Sequence, residues 1–364
     1  MEKQLAVILD SCRLTHDGPA SAVHLHCRAA QDHRRQAVGE CLAIGFVNNM
    51  AGAAFKSTER QFVSLLDSAS ENVPILVSFY TLPGLSLAET GGSHFARHYQ
   101  GIESLLGTRL DGLIVTGREP KASDLRDEPY WRSFTRVLDW ARTNTYSSIW
   151  SCLAAHAAVL RMDGIVRRKS ADKNFGVFEC AREADHPLMQ GLQDLFHMPH
   201  SRWNGIGQDD VAAHGYSVLS RLAEHGVDTF MKQEESLLVF FQGHPEYESD
   251  TLMREYRRDV WRYVKGDAGA HPSLPVGYFD RMTEDALIYL REKAFALRST
   301  ELLRSIAKAM EDAKVENKWQ SSATRIYRNW LQCIIARKSE SARNHHAQAA
   351  LSESSPGSAN WVTR

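Results

Sequence analysis

The stretch Ser147-Ser148-Ile149-Trp150-Ser151-Cys152-Leu153-Ala154-Ala155-His156-Ala157-Ala158 changes period in its middle. Residues 147–151 are short and β-capable, whereas 154–160 read as a helix rich in small residues, and a strand that passes directly into a helix is a βα unit. The same alternation appears on both sides of it. Upstream, apolar runs at 42–47, 73–79 and 112–115 are separated or followed by helix-like segments at 57–68 and 129–143. Downstream, the apolar run 237–241 enters Gln242-Gly243-His244-Pro245-Glu246, where Gly and Pro mark a loop. The expected fold is therefore α/β, a mostly parallel sheet flanked by helices. In such sheets functional loops gather at the carboxyl ends of the strands.

The domain pattern follows from changes in composition. Residues 1–36, with His24, His26, His33, Arg34 and Arg35, lack a strand rhythm and are expected to form a loosely ordered lead-in. Residues 37–266 form the α/β domain. A C-terminal helical segment, 267–338, is expected to pack on it, including an amphipathic tract at 284–314 with Leu287, Leu290, Ala294, Leu297, Leu302 and Ile306 at helical spacing. Residues 339–364, rich in Ser, Ala, Asn and His, are expected to be a disordered tail.

The chain has 364 residues, 43% hydrophobic and 24% charged, enough for a sizeable core. Lys+Arg 43 against Asp+Glu 44 gives a net charge of −1, which excludes a global basic excess for nucleic acid or an anionic membrane. Apolar runs stay far below the roughly 20 residues of a membrane span, and no secretory h-region opens the chain, so a cytoplasmic location is expected. The six cysteines show no C-x-x-C spacing, arguing against a cysteine zinc site or a disulfide framework. No metal is expected. Neither G-x-x-x-x-G-K-[ST] nor G-x-G-x-x-G occurs.

Two local signals point to chemistry. Cys152 stands where a strand turns tightly into a helix, a geometry that exposes a nucleophile and aims it at amide groups able to hold negative charge. That context also suits a buried structural cysteine. His244-Pro245-Glu246 follows an apolar strand, and residues two apart in an extended loop can place a carboxylate beside an imidazole. A Cys followed about ninety positions later by such a pair is the set that thiolate-based acyl transfer requires. Arg167, Arg168, Lys169 and Lys173 add positive charge that suits either a phosphate or carboxylate ligand or a solvated turn.

These segments together resemble the homoserine O-succinyltransferase family, some members of which are acetyltransferases. The resemblance rests on Leu113-Ile114-Val115-Thr116-Gly117, Tyr130-Trp131, the Cys152 elbow, Phe175-Gly176-Val177-Phe178, Pro199-His200-Ser201-Arg202, Gly243-His244-Pro245-Glu246-Tyr247, Thr251-Leu252, Glu255-Tyr256, Arg258-Asp259, Trp319 and Asn329-Trp330-Leu331. It covers about residues 40–266 and 316–336. It implies a class I glutamine amidotransferase-like fold, a homodimer, small-molecule substrates, no permanently bound cofactor, and a ping-pong reaction in methionine synthesis. By position, Cys152 resembles the nucleophile that takes the acyl group from succinyl-CoA or acetyl-CoA. His244 resembles the general base and Glu246 its partner. Lys173, Ser201 and Arg258 fall where the family binds the amino-acid acceptor, Glu255 on another site carboxylate, and Lys121 on the position that helps set donor choice.

The chain also departs from the family. Leu153 and His156 replace the usual Trp and Gln of the elbow. The loop Asn48-Asn49-Met50-Ala51-Gly52-Ala53-Ala54-Phe55-Lys56 lacks a lysine at the place that serves the oxyanion, leaving Lys56 or backbone N–H groups for that role. A cation at Lys121 would attract the free carboxylate of a succinyl group, which favours succinyl-CoA over acetyl-CoA. Serine or another hydroxy amino acid as acceptor, a glutamine amidotransferase or related hydrolase, and a non-catalytic descendant are the alternatives. Retention of Cys152, His244 and Glu246 together argues against the last.

Overall fold

The computed structural model describes residues 7–9, 41–71, 73–84, 93–224, 226–296 and 298–353. Among the described residues eleven strands form one sheet: β1 (Val7–Leu9), β2 (Leu42–Val47), β3 (Ile75–Thr81), β4 (Tyr99–Gly101), β5 (Gly112–Thr116), β6 (Ser147–Ser151), β7 (Arg168–Arg182), β8 (Leu195–Gly205), β9 (Ser217–Leu222), β10 (Gly226–Gln233) and β11 (Leu237–Phe241). Their order is β1-β3-β2-β5-β6-β11-β10-β9-β7-β8, with β4 beside β3. From β1 to β11 every pairing is parallel; from β11 through β10, β9 and β7 to β8 every pairing is antiparallel.

The helices are α1 (Ala53–Ala69), α2 (Ser93–His98), α3 (Ile102–Leu106), α4 (Trp131–Asn144), α5 (Leu153–Asp163), α6 (Gln208–Ala213), α7 (Thr251–Lys265), α8 (Arg281–Ala296), α9 (Thr300–Glu311) and α10 (Gln320–Glu353). The central strands β5, β6 and β11 are buried along their whole length. That is why β5 and β11 read as apolar runs, since helices cover both faces of a parallel sheet, while β6 buries three serines among its five residues. Alternate residues feed two cores. Ile114, Ile149 and Phe241 join Phe62 of α1, Tyr256 of α7 and Tyr327 and Trp330 of α10. Val115, Trp150 and Phe240 join Phe134 of α4 and Ala154–Val159 of α5 on the other face.

The C-terminal helix belongs to the main core. Trp330 is fully buried and donates its indole N–H to Ser147 Oγ at 2.8 Å, so α10 is fixed beneath the strand that leads to Cys152. The tract expected at 284–314 is a hairpin, α8 and α9, whose Leu287, Ala294, Leu302 and Ile306 are buried. Two expectations change. The tail placed at 339–364 begins inside a helix, because α10 continues to Glu353: Ala, Arg, Gln and Glu favour helix, and extending a formed helix is far easier than nucleating one. Within the lead-in 1–36, Val7–Leu9 pairs in parallel with Ile75–Val77 at the sheet edge, and Val7 is buried there. The rest of that lead-in and residues 354–364 lie outside the described residues. Among the described residues no helix is long and apolar enough to cross a membrane.

Candidate active site

Cys152 has φ 53° and ψ −114°, a backbone region that L-residues other than Gly seldom enter and that costs of order 1–3 kcal/mol. The neighbouring structure holds it there. Its N–H donates to Phe241 O at 2.7 Å, and its C=O accepts from Ala155 N and His156 N as α5 begins. Ala154, Ala155, Ala157 and Ala158 are all buried, so small side chains let α5 lie tightly on the sheet. Gly117 completes the fit: a Cβ there would lie 2.5 Å from Leu153 Cβ and 2.8 Å from the Ala154 N. Because backbone cannot swing aside, Gly117→Ala is expected to displace the elbow and lower kcat at least about 100-fold, measured against a thermal-unfolding control. Wild-type turnover would refute that constraint.

His244 follows β11 immediately. Its N–H donates to Pro199 O at 2.8 Å, its Nδ1 lies 2.8 Å from Glu246 Oε1, and its ring stacks on Tyr247 at 4.2 Å. The other ring nitrogen is left for the hydrogen bond with Cys152. Burial pushes the imidazole down, but the Glu246 carboxylate, the negative charge of Cys152 and hydrogen bonds to both outweigh it and hold His244 well above its ordinary value. Glu246 is itself almost wholly buried. The geometry lines up a thiol, an imidazole and a carboxylate, the arrangement that nucleophilic catalysis uses.

The acceptor residues expected from sequence come together beside it. Glu255 accepts from Ser201 Oγ and from Tyr247 OH, both at 2.6 Å. Lys173 Nζ is 4.0 Å from Glu255 and 3.7 Å from Asp259, and it lies 4.1 Å from the centre of the Phe175 ring. Arg258 Nε donates to Asp259 at 2.8 Å. Tyr247 links this cluster to the His244 loop, touching His244 with its ring and Glu255 with its hydroxyl. Trp319 secures that link by donating its indole N–H to Tyr247 O at 2.8 Å. A cavity of about 340 Å³ between α7 and α9 reaches this cluster through Arg258, its other lining residues being Arg254, Arg257, Val260, Trp261, Leu303 and Ile306.

Lys121 and Lys56 are both exposed. In the loop of Lys121, the backbone N–H groups of Lys121 and Ala122 both donate to Glu128 Oε1, at 2.5 and 2.7 Å. Buried positive charge lies elsewhere, at Arg118, which sequence reading passed over because an Arg after a Gly in a loop looks like solvated surface. His156, an apparent departure of the elbow, is buried with Nε2 3.0 Å from Gln242 Oε1, joining the nucleophile helix to the loop before His244. Burial first, then Arg202, push it down to about 3, so it is neutral at neutral pH.

Beneath Gly243 lies a buried polar layer. His200 Nε2 is 3.1 Å from Asp228, and His200 Nδ1 accepts from Arg202 Nε at 3.2 Å. Burial pushes His200 down to about 4. Cys180, His200 and Asp228 are ligand types for a metal. The guanidinium bonded to His200 places a fixed positive charge on the cluster, which suits a hydrogen-bonded support and not a cation site.

A sequence-family model described as homoserine O-succinyltransferase matches residues 22–341. The homoserine O-succinyltransferase of Rhodopseudomonas palustris is 42% identical over 314 residues, 86% of this chain and 93% of that protein. That of Bradyrhizobium japonicum is 42% identical over 291 residues, 80% and 89% of the two chains. Among solved structures, a glutamine amidotransferase of Methylobacillus flagellatus aligns with a TM-score of 0.44 at 17% identity, covering 81% of this chain and 95% of that one. An α/β enzyme of the acyltransferase class is thereby defined. The chain belongs to the homoserine O-succinyltransferase family.

Proposed function

We propose that the protein transfers a succinyl group from succinyl-CoA to the hydroxyl of L-homoserine in two steps, through a thioester on Cys152. The observation that carries this reading is a cysteine held at a strained strand–helix elbow and hydrogen-bonded to a histidine that Glu246 orients. In the first step the Cys152 sulfur attacks the donor carbonyl, its bond to coenzyme A breaks, and the His244 imidazolium protonates the departing thiolate. Free N–H groups at the start of α5 are placed to receive the developing oxyanion. In the second step neutral His244 takes the proton of the acceptor hydroxyl, whose oxygen attacks the acyl carbon and expels the Cys152 thiolate.

The cluster beside the elbow suits an amino acid. Arg258 and Lys173 offer charge to its carboxylate, and Glu255 offers charge to its ammonium group. Intact-protein mass spectrometry tests the reading: succinyl-CoA alone should add one succinyl group to Cys152, and homoserine should discharge it. No adduct from this donor, or an adduct that homoserine leaves in place, would refute it. Glu255→Gln is expected to raise the KM for homoserine about 10–100-fold and to make the succinyl-enzyme accumulate. An unchanged KM would remove Glu255 from acceptor binding.

A further inference from the structure

Thr116 at the end of β5 pairs in register with Ser151 at the end of β6, so Gly117 and Cys152 leave the sheet side by side, in contact through Leu153. Arg118 comes next, and it is only 6% exposed. Its guanidinium lies 4.5 Å from the centre of the Tyr130 ring, while its buried Nε has no hydrogen-bond partner among the described residues. Glu128, the buried carboxylate of the same loop, gives Oε1 to the backbone of Lys121 and Ala122. From the other side, at the end of the α5–β7 connection, comes half-buried Arg167. Its charge interacts with both Tyr130 and Cys152, and Tyr130 in turn interacts with both arginines. The Arg118 guanidinium thus sits on the Tyr130 ring in the loop beside the Cys152 elbow, and the Arg167 charge acts on the same ring and on Cys152.

A buried cation with an unused N–H is costly unless an anion completes it. We propose that Arg118, with Arg167, forms the seat for the free carboxylate of a dicarboxylic acyl donor and thereby selects succinyl over acetyl. This rests on the transferase reading given above. An extended succinyl group on Cys152 carries its second carboxyl carbon roughly 4 Å from its thioester carbon. The planar fork of an arginine matches that group with two parallel N–H···O bonds. An acetyl group has nothing to offer there, so the buried Arg118 Nε stays without a partner, and discrimination comes from that penalty as much as from attraction. Lys121, exposed on the same loop, is then a rim charge that attracts the donor without gripping it.

The test is the rate of Cys152 acylation by succinyl-CoA and by acetyl-CoA, read by mass spectrometry without acceptor, for the wild type, Arg118→Gln, Arg118→Lys and Arg167→Gln. The ratio of the succinyl to the acetyl rate constant is expected to fall at least about 100-fold in Arg118→Gln and about 10-fold in Arg167→Gln, with partial recovery in Arg118→Lys. Equal loss with both donors, or an unchanged ratio, would overturn the assignment. Should thermal unfolding show Arg118→Gln to be unfolded, Arg167→Gln decides alone, and an unchanged ratio there overturns the seat. A wild-type enzyme that accepts neither donor would refute the transferase reading itself, an outcome distinct from a ratio that the variants leave alone.

Discussion

Cys152→Ala is expected to abolish the succinyl adduct and to lower turnover on the order of 10⁴-fold or more, since the other groups of the site then have no thiolate to serve. The fold should survive. The α5 elbow is fixed by backbone bonds from Cys152 to Phe241 and from Ala155 and His156 to Cys152, none of which involves the sulfur. Comparison with Cys152→Gly separates nucleophile from scaffold. At φ 53° a residue with a Cβ is strained and glycine is not, so Cys152→Gly should unfold at a higher temperature than Cys152→Ala by about 1 kcal/mol in stability, although both are inactive. Succinyl labelling that persists in Cys152→Ala would place the nucleophile elsewhere. Equal stability of the two variants would show that the elbow stores no strain.

Glu246→Gln is expected to alter both rate and pH dependence. His244 is pushed down by burial and lifted above its ordinary value by Glu246 and Cys152. Removing the carboxylate leaves burial less opposed, and the imidazolium is then lost at lower pH. A histidine whose folded value is raised contributes stability that is fully present below its unfolded value, near 6.5, and that disappears as pH rises through the folded value. Thermal unfolding of the wild type should therefore fall on the alkaline side, and in Glu246→Gln that fall should be smaller and end at lower pH. The alkaline limb of kcat/KM for succinyl-CoA should shift in the same direction. Turnover should drop about 10²–10⁴-fold, because a glutamine amide can donate to Nδ1 and so favour the wrong tautomer. Identical pH profiles for the two proteins would mean that Glu246 does not set the state of His244.

Much of the parallel half of the sheet is legible in the chain. Leu42–Val47 and Leu237–Phe241 stand as strands with the limits that their apolar runs suggest, because strands buried on both faces select apolar residues, and Ser147–Ser151 stands as the short β-capable run that ends at Cys152. The strands β7 to β10 are not legible that way. Arg168 and Lys169 in β7 have the composition of a solvated turn, and they become strand through antiparallel pairing with Gly205 and Asn204 of β8. Pairing of distant segments overrides local preference there.

The sequence by itself determined the βα elbow at Cys152, the His244-Pro245-Glu246 loop and the family motifs, all of which lie within short windows where spacing and conformation are coupled. Only the tertiary structure decided the rest. It brought Lys173 of β7, Ser201 of β8 and Tyr247 of the loop after β11 onto one cluster with Glu255 and Arg258 of α7. It extended α10 past Ser339 and turned Trp319 and Trp330 into anchors of the Tyr247 loop and of β6. It also buried Arg118 under Tyr130 while leaving Lys121 in solvent. Whether a charged side chain is solvated or desolvated depends on segments far away in the chain, and desolvation is what turns an ordinary arginine into a group that requires an anion.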